Sequence, residues 1–386
     1  MASIRPSTLL LRVDGFGWQD CLATGPGSAI LGSLLFSALF PAPMSVKFLL
    51  RVAGTLLLAW AAAAACVALH TPLPWMLGPL VATSVLSMAG APTESWGPLR
   101  NGGQWAIGAA LGLYFTPEVS ALVGSLWWAI VLGIGWALLL GWGFGAWLYR
   151  LHAPRMHGVP ASMLRSTSYF AGAIGAASEM TLLSERENAR TDLVAASHSL
   201  RLLIVTITIP FALQWSGLQG LDILIPTVRD VSWPGLALLA LLTGAGALVM
   251  DRLGRANPWF MGAMLVSMAV TMAGLHLSAV PQAVVNAAQL VIGVSLGVRF
   301  RAEFLHTAPR WLASVAVGTF GLMGICAAFA AVLAWATGLP WVTLLLGTSP
   351  GGITEMAITA KVLQLGVPVV TAFQVCRLIA VLMLVG

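Results

Sequence analysis

Two glutamate–arginine pairs stand in otherwise apolar sequence at one spacing. Ser178-Glu179-Met180 is followed 22 residues after its Glu by Arg201, and Thr354-Glu355-Met356 is followed 22 residues after its Glu by Arg377. An ionised side chain at bilayer depth costs roughly 2.5–3.5 kcal/mol on insertion scales, so two such pairs need a compensating role. A carboxylate there can take a proton or hold a coupling cation, and a guanidinium can hold an anionic substrate. The pairs can instead close on themselves as structural locks, and the two roles can coexist. A plainer reading makes Ser178 and Thr354 N-caps, with Glu179 and Glu355 as first-turn acids. That explains Ser/Thr-Glu but leaves the distant Arg without a reason.

Several neighbours bear on the same chemistry. His198 lies three residues before Arg201, where it can join a proton relay, but Gln374 occupies the matching place before Arg377. Gln104 and Gln289 each precede a glycine by four residues and either line a cavity or hydrogen-bond between helices. Asp192 falls at the start of its apolar run and reads as a helix-start acid. Trp75 and Trp259 follow Pro at helix starts, where Pro suits the first turn and Trp the membrane interface.

The elements that position these residues follow from composition. The chain has 386 residues, 59% hydrophobic and 8% charged, against about 25% charged in soluble domains. The fold class expected is an all-α polytopic membrane protein. Runs of spanning length lie at about 48–68, 75–91, 102–115, 120–148, 191–213, 234–250, 258–275, 284–299, 309–337 and 366–385, which is ten spans. Two more apolar segments, about 159–182 and 340–358, are interrupted by Gly172 and Gly175 and by Pro350-Gly351-Gly352. Broken backbone at membrane depth is tolerated only inside protein or beside an aqueous cavity, so both segments read as re-entrant or discontinuous helices. Their tips, Gly175 to Glu179 and Ser349-Pro350-Gly351-Gly352-Ile353-Thr354-Glu355, start half-helices whose N–H groups favour anions and whose freed carbonyls favour cations.

The two halves share motifs. Pro74-Trp75-Met76-Leu77-Gly78 matches Pro258-Trp259-Phe260-Met261-Gly262. Gln104, Gly108, Gly112, Phe115 and Glu118 match Gln289, Gly293, Gly297, Phe300 and Glu303 at a constant offset of 185, and the Glu–Arg pairs match at 176. This points to internal duplication. Residues 44–215 read as a first membrane repeat, 216–232 as a connecting loop and 233–386 as a second repeat. Residues 1–43 read as a poorly ordered extension, or the product of a start codon called too early. If Lys47 and Arg51 are cytoplasmic, ten spans with two re-entrant segments also put Arg100, Arg150, Arg155, Arg186, Arg190, Arg252, Arg255, Arg299, Arg301 and Arg310 inside. Only Arg229 and Lys361 then fall outside. That bias requires two inverted five-helix repeats, with both termini cytoplasmic.

The net charge of +6 resides in short loops, so it determines topology rather than marking a nucleic-acid partner. Cys21, Cys66, Cys326 and Cys376 are scattered and support neither a disulfide framework nor a zinc site. His152, His157, Arg150 and Arg155 make a basic loop without metal-site spacing. No nucleotide-binding loop occurs, so neither a cofactor nor ATP coupling is expected.

At these residues the chain resembles the AbrB-type bacterial membrane family, whose members carry a duplicated domain. The resemblance covers about 46–386 and rests on Pro-Trp-Met-Leu-Gly-Pro at 74–79, Ser-Glu-Met with Ser-His-Ser-Leu-Arg at 197–201, and Thr-Ser-Pro-Gly-Gly-Ile-Thr-Glu-Met at 348–356. The chain departs from it in the first half, where Ala173-Ile174-Gly175-Ala176 stands in place of Pro-Gly-Gly. The resemblance implies one of two labels, a regulator of gene expression or an ammonia-monooxygenase-like protein. A copper oxygenase needs clustered imidazoles, and the six His are dispersed. Direct DNA regulation lacks a soluble domain to perform it. The arrangement is similar to inverted-repeat secondary transporters, so the expectation is no enzyme but an ion-coupled transporter or exporter in the bacterial inner membrane. It would carry a small anionic solute with protons or sodium, with the lipid bilayer as partner and homo-oligomer formation left open. The rival expectation is a membrane sensor that binds a ligand without moving it.

Overall fold

The structure is a computed structural model that describes residues 45–154, 156, 159–175, 177–217, 230–300 and 308–385, without the side chains of Ser178, Leu382 and Val385. The expected extension 1–43, the side chains of Arg155, His157, Arg229, Arg301 and Glu303, and most of the connecting loop lie outside that set. The chain divides into units 1–50 and 51–386. Only 45–50 of the first are described, as the beginning of a helix, and all packing below concerns the second.

Every regular element among the described residues is an α-helix. In chain order they are α1 (Val46–Ala68), α2 (Pro74–Met88), α3 (Gly97–Gly112), α4 (Pro117–Ser125), α5 (Trp127–His152), α6 (Ala161–Gly172), α7 (Ala177–Arg186), α8 (Thr191–Ser216), α9 (Trp233–Arg252), α10 (Pro258–Met272), α11 (Gln282–Gly297), α12 (Pro309–Thr337), α13 (Trp341–Thr348), α14 (Ile353–Val362) and α15 (Val367–Val385). Five of them, α1, α5, α8, α9 and α12, are long and apolar enough to cross a membrane. The pair α3–α4 makes a sixth if taken as one span bent by 90°. The chain is a multi-pass helical membrane protein.

The remaining expected spans form shorter apolar helices. α2 and α10 have 15 residues each, about 22 Å of helix against about 30 Å of hydrocarbon. These short helices are buried against protein: Met76, Leu77 and Leu80 of α2, Phe260 and Met264 of α10 and Ile292 of α11 belong to one core cluster. Apolar runs overstate helix length here because Gly90 and Gly274, both with positive φ, end the two helices early.

Matched motif positions make matched contacts. α3 packs on α10, and α11 packs on α2. A Cβ at Gly108 would meet the carbonyl of Phe260, and one at Gly293 the carbonyl of Met76. Gly112 lies against Met264 and Ser267, Gly297 against Leu80 and Thr83. Glycines allow these backbones to touch, which is how helices associate where no water drives them together. Each short helix also starts alike: Leu73 and Asn257, just before Pro74 and Pro258, are both left-handed, with φ of 46° and 54°. A non-glycine residue there is strained, and the fold keeps that conformation in both halves.

Around the second set of helices the same reciprocity holds. α5 packs on α6 and α15, α12 on α13 and α8. These contacts hold the two broken segments in place.

Candidate functional site

Both expected breaks occur. The first segment stops at Gly172 and resumes at Ala177, and the second stops at Thr348 and resumes at Ile353. Gly172 sits so close to Gly141 and Gly145 of α5 that a Cβ would strike their backbones. Ending α6 and α13 inside protein leaves their last carbonyls without helical partners, at the negative end of the helix dipole.

The two buried arginines supply those partners. Arg201 Nη1 donates to Ala171 and Gly172 O, both at 3.3 Å, and Nη2 to Ala173 O at 2.8 Å. Arg377 Nη1 donates to Ser349 O at 2.6 Å and Nη2 to Gly351 O at 2.9 Å. Ala173 and Ser349 correspond at the same offset of 176 as the arginines themselves. Hydrogen bonds with one charged member contribute about 1.5–3 kcal/mol each, so these clamps are a large part of what lets broken helices persist in the interior.

This corrects the structural-lock expectation. Among the described residues the ion pairs are Arg51–Glu94 and Arg190–Asp192, and neither Glu179–Arg201 nor Glu355–Arg377 is among them. Carbonyl oxygens, which carry no sequence signature, took the place assigned to the carboxylates. The N-cap reading fails for Thr354 as well: Gly352 caps α14, with no side-chain cap bond. Ser178 lies in the first turn of α7, and its side chain is outside the described set.

His198 and Gln374 prove to be one device in two chemistries. His198 Nδ1 lies 2.8 Å from Arg201 Nη2 and Nε2 lies 2.9 Å from Phe170 O. Arg can only donate, so Nδ1 accepts and the proton resides on Nε2, donating to the carbonyl. Gln374 repeats this with its amide: Oε1 accepts from Arg377 Nη2, and Nε2 donates to Leu346 O at 2.7 Å. Phe170 and Leu346 are again 176 apart. With both nitrogens engaged, His198 holds Arg201 rather than relaying protons.

The tips and their surroundings enclose a cavity of about 370 Å³. The first tip contributes Gly175, Ala177 and Glu179, and the second Gly351, Gly352, Thr354 and Glu355. Gln104 also lines it and donates to Asn257 Oδ1 at 2.8 Å. Arg377 reaches it, whereas Arg201, His198, Gln374 and Gln289 do not. Gln289 is buried at 2% exposure in α11, so of the matched glutamines only Gln104 faces the space. Ser349 is fully buried, with Oγ donating to Leu346 O, and Pro350 is buried beside it.

Four arginines line the cavity, Arg100, Arg255, Arg299 and Arg377, with Asp251, Glu179 and Glu355. Arg377 is 6% exposed, and its Nε is buried without a hydrogen-bond partner, as is that of Arg100. Two cavity-lining arginines that each keep a donor without a protein partner make the wall suited to an anion. Glu355 is 7% exposed, and its carboxylate folds back over Gly352 so tightly that any Cβ there would collide with it. That contact requires the second glycine of Pro350-Gly351-Gly352. The first glycine has a counterpart: Gly175 and Gly351 pack on Met180 and Met356, which explains why Met follows each Glu. The first tip's departure from Pro-Gly-Gly thus leaves the Gly–Met contact intact. The sequence marks Arg100, Arg255 and Arg299 only as topology charges. Arg100 lies one helical turn before Gln104, a spacing that puts both on one face of α3 and signals the cavity.

A family model described as "Transition state regulatory protein AbrB" matches residues 75–386, both halves with their two tips. The chain belongs to the AbrB family. It is 26% identical over 324 residues to "Putative regulator AbrB" of Escherichia coli (strain K12), covering 82% of this chain and 89% of that one. It is 25% identical over 346 residues to "Uncharacterized protein YhjN" of Bacillus subtilis (strain 168), covering 80% and 85%. The matched span includes the broken helices, the arginine clamps and the cavity.

Proposed function

We propose that this AbrB-family protein is an ion-coupled secondary transporter or exporter of a small anionic solute in the bacterial inner membrane. The observation that carries the reading is that two broken-helix tips open onto one cavity beside Arg377, whose Nε has no partner. Arg377 holds the second tip together through its Nη atoms while its charge stands at the cavity that Arg100 and Arg299 also line. Glu179 and Glu355 in the same space are the candidate carriers of a proton or sodium. The chemistry is binding and translocation, without covalent change in the solute.

Ten spans in two inverted five-helix repeats remain the architecture that best fits this role. The support is reciprocal packing, α3 on α10 and α11 on α2, with matched glycines at matched backbones. The cavity-lining Arg100, Arg255 and Arg299 all belong to the face assigned to the cytoplasm, which suits a site open on that side.

A sensor that binds the same anion without moving it is the second reading, favoured by the word "regulator" in the name of the Escherichia coli relative. Side-dependent labelling separates the two. Thr354 lines the cavity, and Thr354→Cys in an otherwise cysteine-free protein can be challenged with an anionic, membrane-impermeant methanethiosulfonate from either face. A transporter exposes position 354 alternately and is modified from both. Modification from one face only, under every ion gradient, supports the sensor.

A further inference from the structure

A second site lies away from the tips, on the outer face of the α5–α6 pair. Glycines set its register: Gly141 of α5 lies against Ala173, and Gly145 against Ser168 and Tyr169 of α6. The helices therefore run antiparallel, and Arg165 of α6 comes level with Tyr149 of α5, its guanidinium 5.6 Å from the ring centre. Beside this contact is a groove of about 610 Å³, lined by Trp142, Tyr149, Arg150, Arg165, Tyr169 and Glu187 among others. Its polarity is graded. Arg150 stands in the last turn of α5, a candidate span, and so at the membrane interface. Trp142 is eight residues deeper, about 12 Å along the helix, and is 62% exposed. The groove is thus basic at the headgroup level and apolar below it, and neither arginine is in an ion pair among the described residues.

We infer that this groove is a binding site for an anionic glycerophospholipid of the phosphatidylglycerol type. Arg150 and Arg165 against Glu187 leave a net charge of +1, the complement of one phosphodiester. The arginines take the phosphate oxygens, Glu187 accepts from headgroup hydroxyls, and an acyl chain lies along Trp142 and Tyr169. The site is independent of the cavity between the tips and does not rest on the transport reading.

Delipidated protein in detergent, titrated with phosphatidylglycerol, phosphatidylcholine of the same chains, and free glycerol 3-phosphate, tests this by native mass spectrometry and by apparent Tm. Phosphatidylglycerol should be retained and raise Tm most, with free glycerol 3-phosphate having no effect at equal concentration. Arg150→Gln with Arg165→Gln should lower the phosphatidylglycerol affinity about tenfold or more, as expected for losing charge-assisted contacts, while the lipid-free Tm falls only by the small amount that loss of the Arg165–Tyr149 contact explains. Trp142→Ala keeps the charges and should weaken both lipids alike. Equal retention of the two lipids, an unchanged preference in the double variant, or an equal response to free glycerol 3-phosphate would overturn the assignment.

Discussion

Replacing Arg377 by Gln separates a helix clamp from an ion-pair lock. The substitution removes the donors to Ser349 O, Gly351 O and Gln374 Oε1, all buried. At about 1.5–3 kcal/mol for each bond to a charged group, the gross loss is roughly 4–9 kcal/mol. Removing a buried cation whose Nε lacks a partner offsets part of it, which leaves a net destabilisation on the order of 3 kcal/mol and a fall in apparent Tm of roughly 5 °C or more. Glu355 makes no ion pair with Arg377, so Glu355→Gln alone should shift Tm little, and adding it to Arg377→Gln should not restore the loss. The assay is a double-mutant cycle on thermal unfolding in one detergent, read with the ligand absent. The predicted coupling energy is near zero, within the roughly 0.5 kcal/mol expected for independent sites. A double variant restored to wild-type stability requires a Glu355–Arg377 pair and refutes the clamp.

Other consequences follow from the same contacts. His198→Gln and Gln374→His should each retain folding, because either side chain can accept from the arginine and donate to the carbonyl, while His198→Leu should lose about 1–3 kcal/mol of stability by thermal unfolding. Gly108→Ala and Gly293→Ala should both destabilise, since each new methyl meets a backbone carbonyl, whereas Gly54→Ala, with open space around it, should gain about 0.5–1 kcal/mol. Cysteines placed at Arg155 and Arg310 should label from the cytoplasm and those at Arg229 and Lys361 from the opposite side; reversed labelling at position 310 contradicts the inverted repeat. Arg100→Gln should weaken binding of a small carboxylate or phosphate ligand about tenfold with little change in Tm, measured by ligand-dependent thermal shift.

What the sequence disclosed and what it concealed divide along physical lines. The breaks at Gly172–Gly175 and Pro350–Gly352 are legible because clustered Gly and Pro act on the backbone directly, whereas the single Pro79 and Pro210 stay inside continuous helices. The Glu–Arg spacing marked the right helices but suggested the wrong partner. Opposite charges invite pairing on paper, yet the end of a broken helix presents several carbonyls to one guanidinium, and every residue has a carbonyl. The mismatch of His198 with Gln374 looked like a broken correspondence until their hydrogen bonds showed equal donor and acceptor roles. Arg100 and Arg299 look like loop charges in the sequence, because charge pattern alone does not distinguish a solvated Arg from one lining a cavity. Apolar length overstated the helices α2 and α10, which stop at 15 residues each, since short helices buried against protein are as apolar as those that face lipid.

The central claim is that the cavity between the tips moves an anion, and flux tests it most directly. A panel of small carboxylates and phosphate, screened by thermal shift, supplies the solute, and protein reconstituted in liposomes is then given that solute radiolabelled under an imposed proton or sodium gradient. The account predicts accumulation that collapses when the gradient is dissipated and is lost in Glu355→Gln, a variant that still folds and still binds. Binding of the solute with no gradient-driven accumulation by the wild-type protein would contradict it.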